Sequence, residues 1–221
     1  MIINNKGLNA SQLKLIAFVT MVIDHIGYII YPDIMILRYI GRISFPIYAF
    51  LVGEGLFYSR NRKRYFIKMV ITFIVFQIVS FFVEDSFNVC ALYGFLSAIA
   101  IVGIYKWAKE DIIKRRPIAT IPISIIFVST VLFASAYMFF AILLPLIVYF
   151  VRDKKRQMCL FGITLILCGL VYWNYQILAL FALVPLLLYN GEKGKTVLFK
   201  NSFYILYPLH YLIIGIIKFM F

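Results

Sequence analysis

Apolar segments long enough to cross a lipid bilayer follow one another along almost the whole chain. A helix of about 17–25 apolar residues spans the hydrocarbon core of a membrane. Runs of about this length occupy residues 11–31, 34–58, 66–83, 89–107, 118–134, 135–151, 158–173, 174–189 and 202–220. With 64% hydrophobic residues and a mean hydropathy of +0.96, the 221-residue chain has more apolar surface than a soluble core can bury. The sequence therefore predicts an all-α, polytopic membrane protein with nine transmembrane helices, in a single domain over residues 1–221.

The positions of the basic residues predict which ends of these helices face the cytoplasm. Short cytoplasmic loops collect Lys and Arg, whereas translocated loops do not. All but three of the 22 basic residues lie near the N-terminus or in alternate loops, in five groups: Lys6 and Lys14; Arg60, Arg62, Lys63, Arg64 and Lys68; Lys106, Lys109, Lys114, Arg115 and Arg116; Arg152, Lys154, Lys155 and Arg156; Lys193, Lys195 and Lys200. Other loops hold Tyr31-Pro32-Asp33, Glu84-Asp85 and the turn at Trp173-Asn174, without Lys or Arg. We therefore expect a cytoplasmic N-terminus, an external C-terminus and a place in the bacterial inner (cytoplasmic) membrane.

The same distribution explains the formal net charge of +13. Because the charge lies in loops that the topology makes cytoplasmic, we expect a lipid bilayer as partner and no nucleic acid. The run from Arg60 to Arg64 could also bind anionic lipid headgroups or the phosphates of a nucleotide-bearing donor such as coenzyme A. The three cysteines show no Cys-x-x-Cys spacing, and no ligand set for a metal is expected.

Charged residues inside the first two segments are the main candidates for function. Asp24 and His25 lie in segment one, and Arg38 and Arg42 lie in segment two. A charged side chain at the centre of a membrane helix costs about 2.5–3.5 kcal/mol on insertion scales, so such groups generally face protein or water. If the turn is centred on Pro32, Asp24 lies level with position 40, midway between the arginines. The arginines share a helix face at four-residue spacing, so both can reach Asp24. His25 points about 100° further around its helix and is free to face a cavity.

This cluster is either a buried ion pair that fixes helix packing or part of a substrate site. Two arginines against one acid leave a positive surplus, which suits an anionic or carbonyl-bearing substrate, or charge developing on oxygen in a transition state. Three further residues are weaker candidates. His210 follows Pro208, which frees a backbone carbonyl and can kink the last segment. Glu54 lies between two glycines near the inner end of segment two, and Tyr48 could donate a hydrogen bond nearby.

The residues around these candidates resemble a known family. The stretches that carry the resemblance are LKLIA at 13–17, MVIDHIG at 21–27, RYIGRISFPIYAF at 38–50, EG at 54–55 and YPLH at 207–210. They are similar to the TraX family, which is named for the conjugative-pilin N-acetylase and looks related to the wider transmembrane acyltransferases. The resemblance is dense over residues 11–65, returns at the late Pro-Leu-His, and rests on hydropathy between them.

The resemblance implies transfer of an acyl group, expected to be acetyl, from cytoplasmic acetyl-CoA. The acceptor would be an amine or hydroxyl of a peptide or glycan at the outer side of the membrane. The catalytic residues that it implies are His25, Asp24, Arg38 and Arg42. In these roles His25 would be the general base and the arginines would orient the site or stabilise an oxyanion, while Asp24 holds the arginines. The candidates for substrate binding are His210, Glu54 and Tyr48.

Other functions fit the same cluster. A proton-coupled transporter could use Asp24, His25 and His210 as protonatable groups along a path. The internal repeat and the broken helices in matching halves that are typical of transporters are not evident. An accessory membrane protein would use the cluster for packing alone. An intramembrane protease is disfavoured because the sequence has neither a Gly-x-Ser-x-Gly motif nor paired intramembrane aspartates.

Overall fold

Helices make up most of the part of the chain that the structure describes. The computed structural model describes residues 7–86, 90–109, 118–126, 136–172, 175–194 and 202–220, where an isolated bridge between Leu8 and Tyr189 is the only β-type pairing. The helices are α1 (Ala10–Ile29), α2 (Met35–Gly41), α3 (Ser44–Tyr58), α4 (Arg62–Glu84), α5 (Ala91–Lys109), α6 (118–126), α7 (Ala136–Phe150), α8 (Lys154–Tyr172), the 3-10 helix η1 (Tyr175–Ala182), α9 (Leu183–Leu187) and α10 (Ser202–Met220). For these residues the predicted all-α class is confirmed.

Five helical segments of the described chain are long and apolar enough to cross a membrane. They are Ala10–Ile29, Met35–Tyr58, Arg62–Glu84, Ala91–Lys109 and Ser202–Met220. Two shorter apolar segments cover Met138–Phe150 and Tyr175–Leu187, and α8 overlaps the predicted crossing at 158–173. These helices support a multi-span membrane protein, while the count of nine crossings stays a prediction. The predicted turns near Ser135 and at Trp173-Asn174 involve residues outside the described ranges.

Segment two differs from the uninterrupted helix predicted over residues 34–58. The structure divides it into α2 and α3, with a turn at Arg42 and Ile43. Both turn residues donate their backbone N–H to the carbonyl three residues earlier, at 3.3 Å. Pro46, in the first turn of α3, explains the break, because proline has no N–H for the carbonyl of Arg42 and its ring crowds that carbonyl. The turn places Arg42 at the end of α2, four residues after Arg38.

One end of the bundle, which we call the basic end, holds the basic connections that lie within the described residues: the chain before α1, the loop between α7 and α8, and the segment after α9 up to residue 194. The chain before α1 is bonded there to the segment after α9, with Leu8 N donating to Leu188 O at 2.8 Å and Asn190 N donating to Leu8 O at 2.9 Å. The guanidinium of Arg152, between α7 and α8, lies 3.9 Å from the ring centroid of Phe57 near the end of α3. If all these loops face the cytoplasm, as the sequence predicts, they must lie at the same end of the bundle, as they do here. The carboxyl ends of α1 and α4 lie together at the opposite end.

The core positions the polar cluster by packing helices tightly around it. α7 packs against both α3 and α5, and its Leu144 and Val148 are fully buried. α1 packs against α2, α3 and α10, so residues of the first and last helices face each other. This contact between α1 and α10 brings the two histidines of the chain together.

Candidate functional site

Asp24 on α1 is held between the two arginines of α2. Arg38 Nη1 donates to Asp24 Oδ2 at 2.7 Å and to the Asp24 carbonyl oxygen at 3.1 Å, while Arg42 Nη2 pairs with Asp24 Oδ1. Gly41 allows this approach, because a Cβ at that position would overlap the Asp24 side chain. The three charged side chains are only 12–17% exposed. The ion-pair cluster therefore lies inside the bundle with one more positive than negative charge.

Aromatic rings and a glutamine also contact the two guanidinium groups. The Arg38 guanidinium lies 5.0 Å from the Tyr28 ring centroid, and that of Arg42 lies 5.4 Å from the Tyr175 ring centroid. Arg42 Nη1 also donates to Gln176 Oε1 at 3.3 Å. η1 therefore contacts Arg42 through both Tyr175 and Gln176. Gln176 was not among the candidates from the sequence, although it is the one glutamine within the apolar run at 174–189.

The two histidines form a hydrogen-bonded pair. His25 Nδ1 lies 2.7 Å from His210 Nε2, and the rings are stacked with centroids 5.0 Å apart. His210 Nδ1 lies 3.1 Å from the carbonyl oxygen of Leu206, four residues earlier. Because a carbonyl only accepts, His210 Nδ1 carries the proton, and in neutral His210 the Nε2 atom must accept from His25 Nδ1–H. Neutral His25 then keeps its lone pair on Nε2, which makes that atom a proton acceptor.

A cavity of about 350 Å³ contains these groups. The polar side chains in its lining that bear on function are Asp24, His25, Arg38, Arg42, Tyr48 and Gln176. Tyr28, in the last turn of α1, and Cys90, just before α5, also line it, which places the cavity in the half of the bundle away from the basic end. Its volume is within the usual range for sites that take small molecules. We call it the reaction cavity.

The comparisons with known proteins agree with the sequence resemblance. The family model described as TraX protein matches residues 9–218. The chain belongs to the TraX family. It is 24% identical to the probable fimbrial assembly protein FimC, serogroup H1, of Dichelobacter nodosus over 236 residues, covering 93% of this chain and 94% of that protein. An uncharacterized protein of Rickettsia prowazekii (strain Madrid E) is 41% identical over 70 residues, which cover 32% of this chain and 28% of that protein. We found no significant match among solved structures.

The structure brings most of the candidate residues of this TraX-family chain to the reaction cavity. Asp24, His25, Arg38, Arg42 and Tyr48 all line it. His210 is not among the lining residues and lies behind His25, where it touches that ring. The geometry therefore suits His210 for orienting His25 rather than for direct contact with a substrate.

Glu54 lies apart from the reaction cavity. Its side chain is 9% exposed and accepts a hydrogen bond from Arg152 Nη1 at 2.7 Å, and the hydroxyl of Tyr189 lies 3.5 Å from its other oxygen. This places Glu54 at the basic end, where it joins α3 to the loop after α7. Within the described ranges, no group of three or more His, Cys, Asp and Glu side chains is arranged to hold a metal ion.

Sequence reasoning missed two residues on α10 that belong to the site. Tyr207 and Tyr211 line the reaction cavity on either side of His210. The rings of His25 and Tyr211 meet edge to face, with centroids 5.0 Å apart. The hydroxyl of Tyr211 donates to a carboxylate oxygen of Glu84 on α4. Among 16 tyrosines no local signal marked these two, although their four-residue spacing puts them on one face of α10.

Proposed function

We propose that this TraX-family protein is a membrane-embedded acyltransferase. It moves an acetyl group from acetyl-CoA, supplied on the cytoplasmic side, to an amine or hydroxyl of a peptide or glycan acceptor at the outer side. The observation that carries the proposal is one cavity whose lining contains both His25, bonded through Nδ1 to His210, and two arginines held by a single aspartate. These side chains place a proton acceptor and one excess positive charge in the same cavity.

The chemistry follows from the two functions of this set. His25 Nε2 takes the proton of the acceptor amine or hydroxyl as the nucleophile attacks the thioester carbonyl carbon. Negative charge then develops on the carbonyl oxygen, where Arg38 and Arg42 stabilise it. When the tetrahedral intermediate collapses, the carbon–sulfur bond breaks and the coenzyme A thiolate leaves. The proton on His25 returns to that thiolate, so His25 ends the cycle neutral.

The ends of the bundle suit the two substrates differently. Loops at the basic end can bind the phosphates of coenzyme A, and the reaction cavity lies in the opposite half of the bundle. The pantetheine arm of acetyl-CoA would therefore extend into the bundle, while the acceptor would enter from the other end. Similarity to a protein named as a probable fimbrial assembly protein supports a peptide acceptor of the pilin type over a glycan.

His210 is predicted to be a positioning residue for His25. His210→Phe removes the acceptor of the His25 Nδ1–H bond and should lower kcat by about 100-fold, an effect of the size typical for general-base catalysis. The KM for acetyl-CoA should stay unchanged, because His210 does not line the reaction cavity. His210→Gln keeps an acceptor oxygen and should recover part of the lost kcat. Equal losses for both variants, or a change in KM alone, would contradict this role.

The proposed function is tested by mass spectrometry of envelope peptides and glycans from cells with and without the protein. Cells are labelled through acetyl-CoA, and the proposal predicts an acetylated product that requires the protein. Identical acetylation profiles in the two cell populations would refute the proposal. The same comparison also shows whether the modified atom is an amine nitrogen or a hydroxyl oxygen.

A proton-coupled transporter is the second candidate, because the His25–His210 hydrogen bond offers a path for a proton beside Asp24. Reconstituted vesicles separate the two functions. Proton-dependent uptake of a solute without consumption of acetyl-CoA would favour the transporter, whereas acetyl transfer without a proton gradient favours the enzyme.

A further inference from the structure

A second cavity adjoins the reaction cavity at the end of the bundle opposite the basic end. It measures about 350 Å³ and is lined by Tyr28, Ile29, Glu84, Ser86 and Lys218. Tyr28 lines both cavities, and Tyr211 in the reaction cavity donates its hydroxyl to Glu84 in the second one. The two spaces therefore share a wall, and a ligand in the second cavity lies next to the His25 side of the first.

The fold builds this second cavity from the carboxyl ends of three helices. Tyr28 and Ile29 end α1, Glu84 ends α4, and Lys218 lies in the last turn of α10. Gly215 brings α10 close to α4, because a Cβ there would overlap the side chain of Val83. This close approach sets Glu84 beside Tyr211.

The electrostatics of the second cavity favour a cation. The carboxyl end of each helix carries a partial charge of about −0.5, and three such ends converge here. Glu84 adds a full negative charge. Lys218 supplies one positive charge, but on an exposed and flexible side chain that can turn toward water. The reaction cavity has the opposite balance, since two arginines there face one aspartate. An ammonium group is therefore stabilised in the second cavity and repelled from the first.

We propose that the second cavity is the acceptor subsite, and that it binds a protonated amino group of the acceptor with Glu84 as the counter-ion. This assignment rests on the proposed acyltransferase function, and it adds a place where the acceptor waits beside the reaction cavity. Tyr28 and the Tyr211–Glu84 hydrogen bond form the boundary between the two cavities. Before it crosses this boundary, the ammonium group transfers one proton to the Glu84 carboxylate, which releases that proton to water. The neutral amine then enters the reaction cavity and gives its next proton to His25 as it attacks the thioester. The residue that recognises the acceptor thus lies on α4, outside the ion-pair cluster.

The test measures binding to the full-length protein in nanodiscs without acetyl-CoA. The probe is tetra-alanine amide with a free amino terminus, compared with the same peptide carrying an N-acetyl group. Wild-type protein should bind the free-amine peptide more tightly. Glu84→Gln should weaken that binding by about tenfold while keeping an acceptor for the Tyr211 hydroxyl.

Asp85→Asn is the matched control. Asp85 is the next acidic residue, lies outside the lining of the second cavity, and has a left-handed backbone with φ of 53° that asparagine tolerates. Its variant should bind the free-amine peptide like wild type. Equal binding by Glu84→Gln and wild type, or an equal loss in Asp85→Asn, would overturn the subsite.

The failure of the subsite and the failure of the enzymatic proposal give different results. Acetyl transfer by wild type together with unweakened peptide binding in Glu84→Gln would refute the subsite alone. Glu84-dependent binding of the free-amine peptide without any acetyl transfer by wild type would refute the acyltransferase and leave a cation site. Glu84-dependent binding together with acetyl transfer would support both.

Discussion

Replacing Asp24 by asparagine removes the one negative charge that holds two buried arginines. Asn keeps the shape of the side chain, so the variant tests the charge rather than the packing. Asp24 accepts from Arg38 at 2.7 Å and also pairs with Arg42, and its side chain is only 13% exposed. Removing one partner of a buried ion pair costs about 3–5 kcal/mol, because the other charge is left uncompensated. Two arginines lose their partner here, which places the expected loss toward the upper part of that range.

The loss is measured as thermal unfolding of the purified protein in one detergent, followed by size-exclusion chromatography after heating. Asp24→Asn should lower Tm by about 10 °C and abolish acetyl transfer. Asp33→Asn is the matched control, because Asp33 is exposed in the turn before α2, and its Tm should stay within about 2 °C of wild type.

A second substitution separates repulsion between the arginines from a general folding defect. Adding Arg38→Gln to Asp24→Asn removes one uncompensated charge and should recover part of the lost Tm, without restoring transfer. Wild-type Tm and full transfer in Asp24→Asn would refute the reasoning that Asp24 anchors the arginines.

Two further predictions concern the contacts around the ion-pair cluster and at the basic end. Gly41→Ala should destabilise the protein by about 1–3 kcal/mol and reduce transfer, because the added methyl overlaps Asp24. Gly103→Ala is the control and should change neither stability nor transfer, since nothing lies within 4 Å of the position its Cβ would take. A Tm for Gly41→Ala equal to that of Gly103→Ala would contradict the close approach. Glu54→Gln should lower Tm by weakening the pair with Arg152. It should leave kcat of the folded protein unchanged, because Glu54 does not line the reaction cavity. A large loss of kcat at unchanged Tm would instead place Glu54 in the reaction.

The ion-pair cluster was predictable because a short turn fixes the register between neighbouring helices. Once Pro32 was taken as the centre of the turn, Asp24 had to lie level with the residues between Arg38 and Arg42. The apolar runs likewise marked the helices, since their lengths follow from the thickness of the membrane. Hydropathy alone does not reveal the break in the helix at Arg42, because the apolar run continues through it. Pro46 is the residue in the sequence that indicates this break.

Contacts between distant segments were not predictable in the same way. Gln176, Tyr211 and Glu84 reach the two cavities from helices whose depth and rotation relative to α1 depend on the packing of the whole bundle. His210 was recognised as a buried histidine, but nothing local indicated that it would bond to His25. The sequence makes Glu54 a weaker candidate for substrate binding, and the structure pairs it with Arg152 from the loop between α7 and α8. Nothing near either residue in the sequence indicated that pair.

The central claim is that His25 is the base of an acetyl transfer within the membrane, and one measurement tests it most directly. Wild-type and His25→Ala proteins are reconstituted in vesicles, and labelled acetyl-CoA is supplied on the side of the basic end. An envelope fraction that bears amines or hydroxyls serves as the acceptor, and the label transferred to it is counted. Wild type should transfer label and His25→Ala should transfer none above background, although both proteins insert equally and have similar Tm. Undiminished transfer by a folded His25→Ala protein would contradict it.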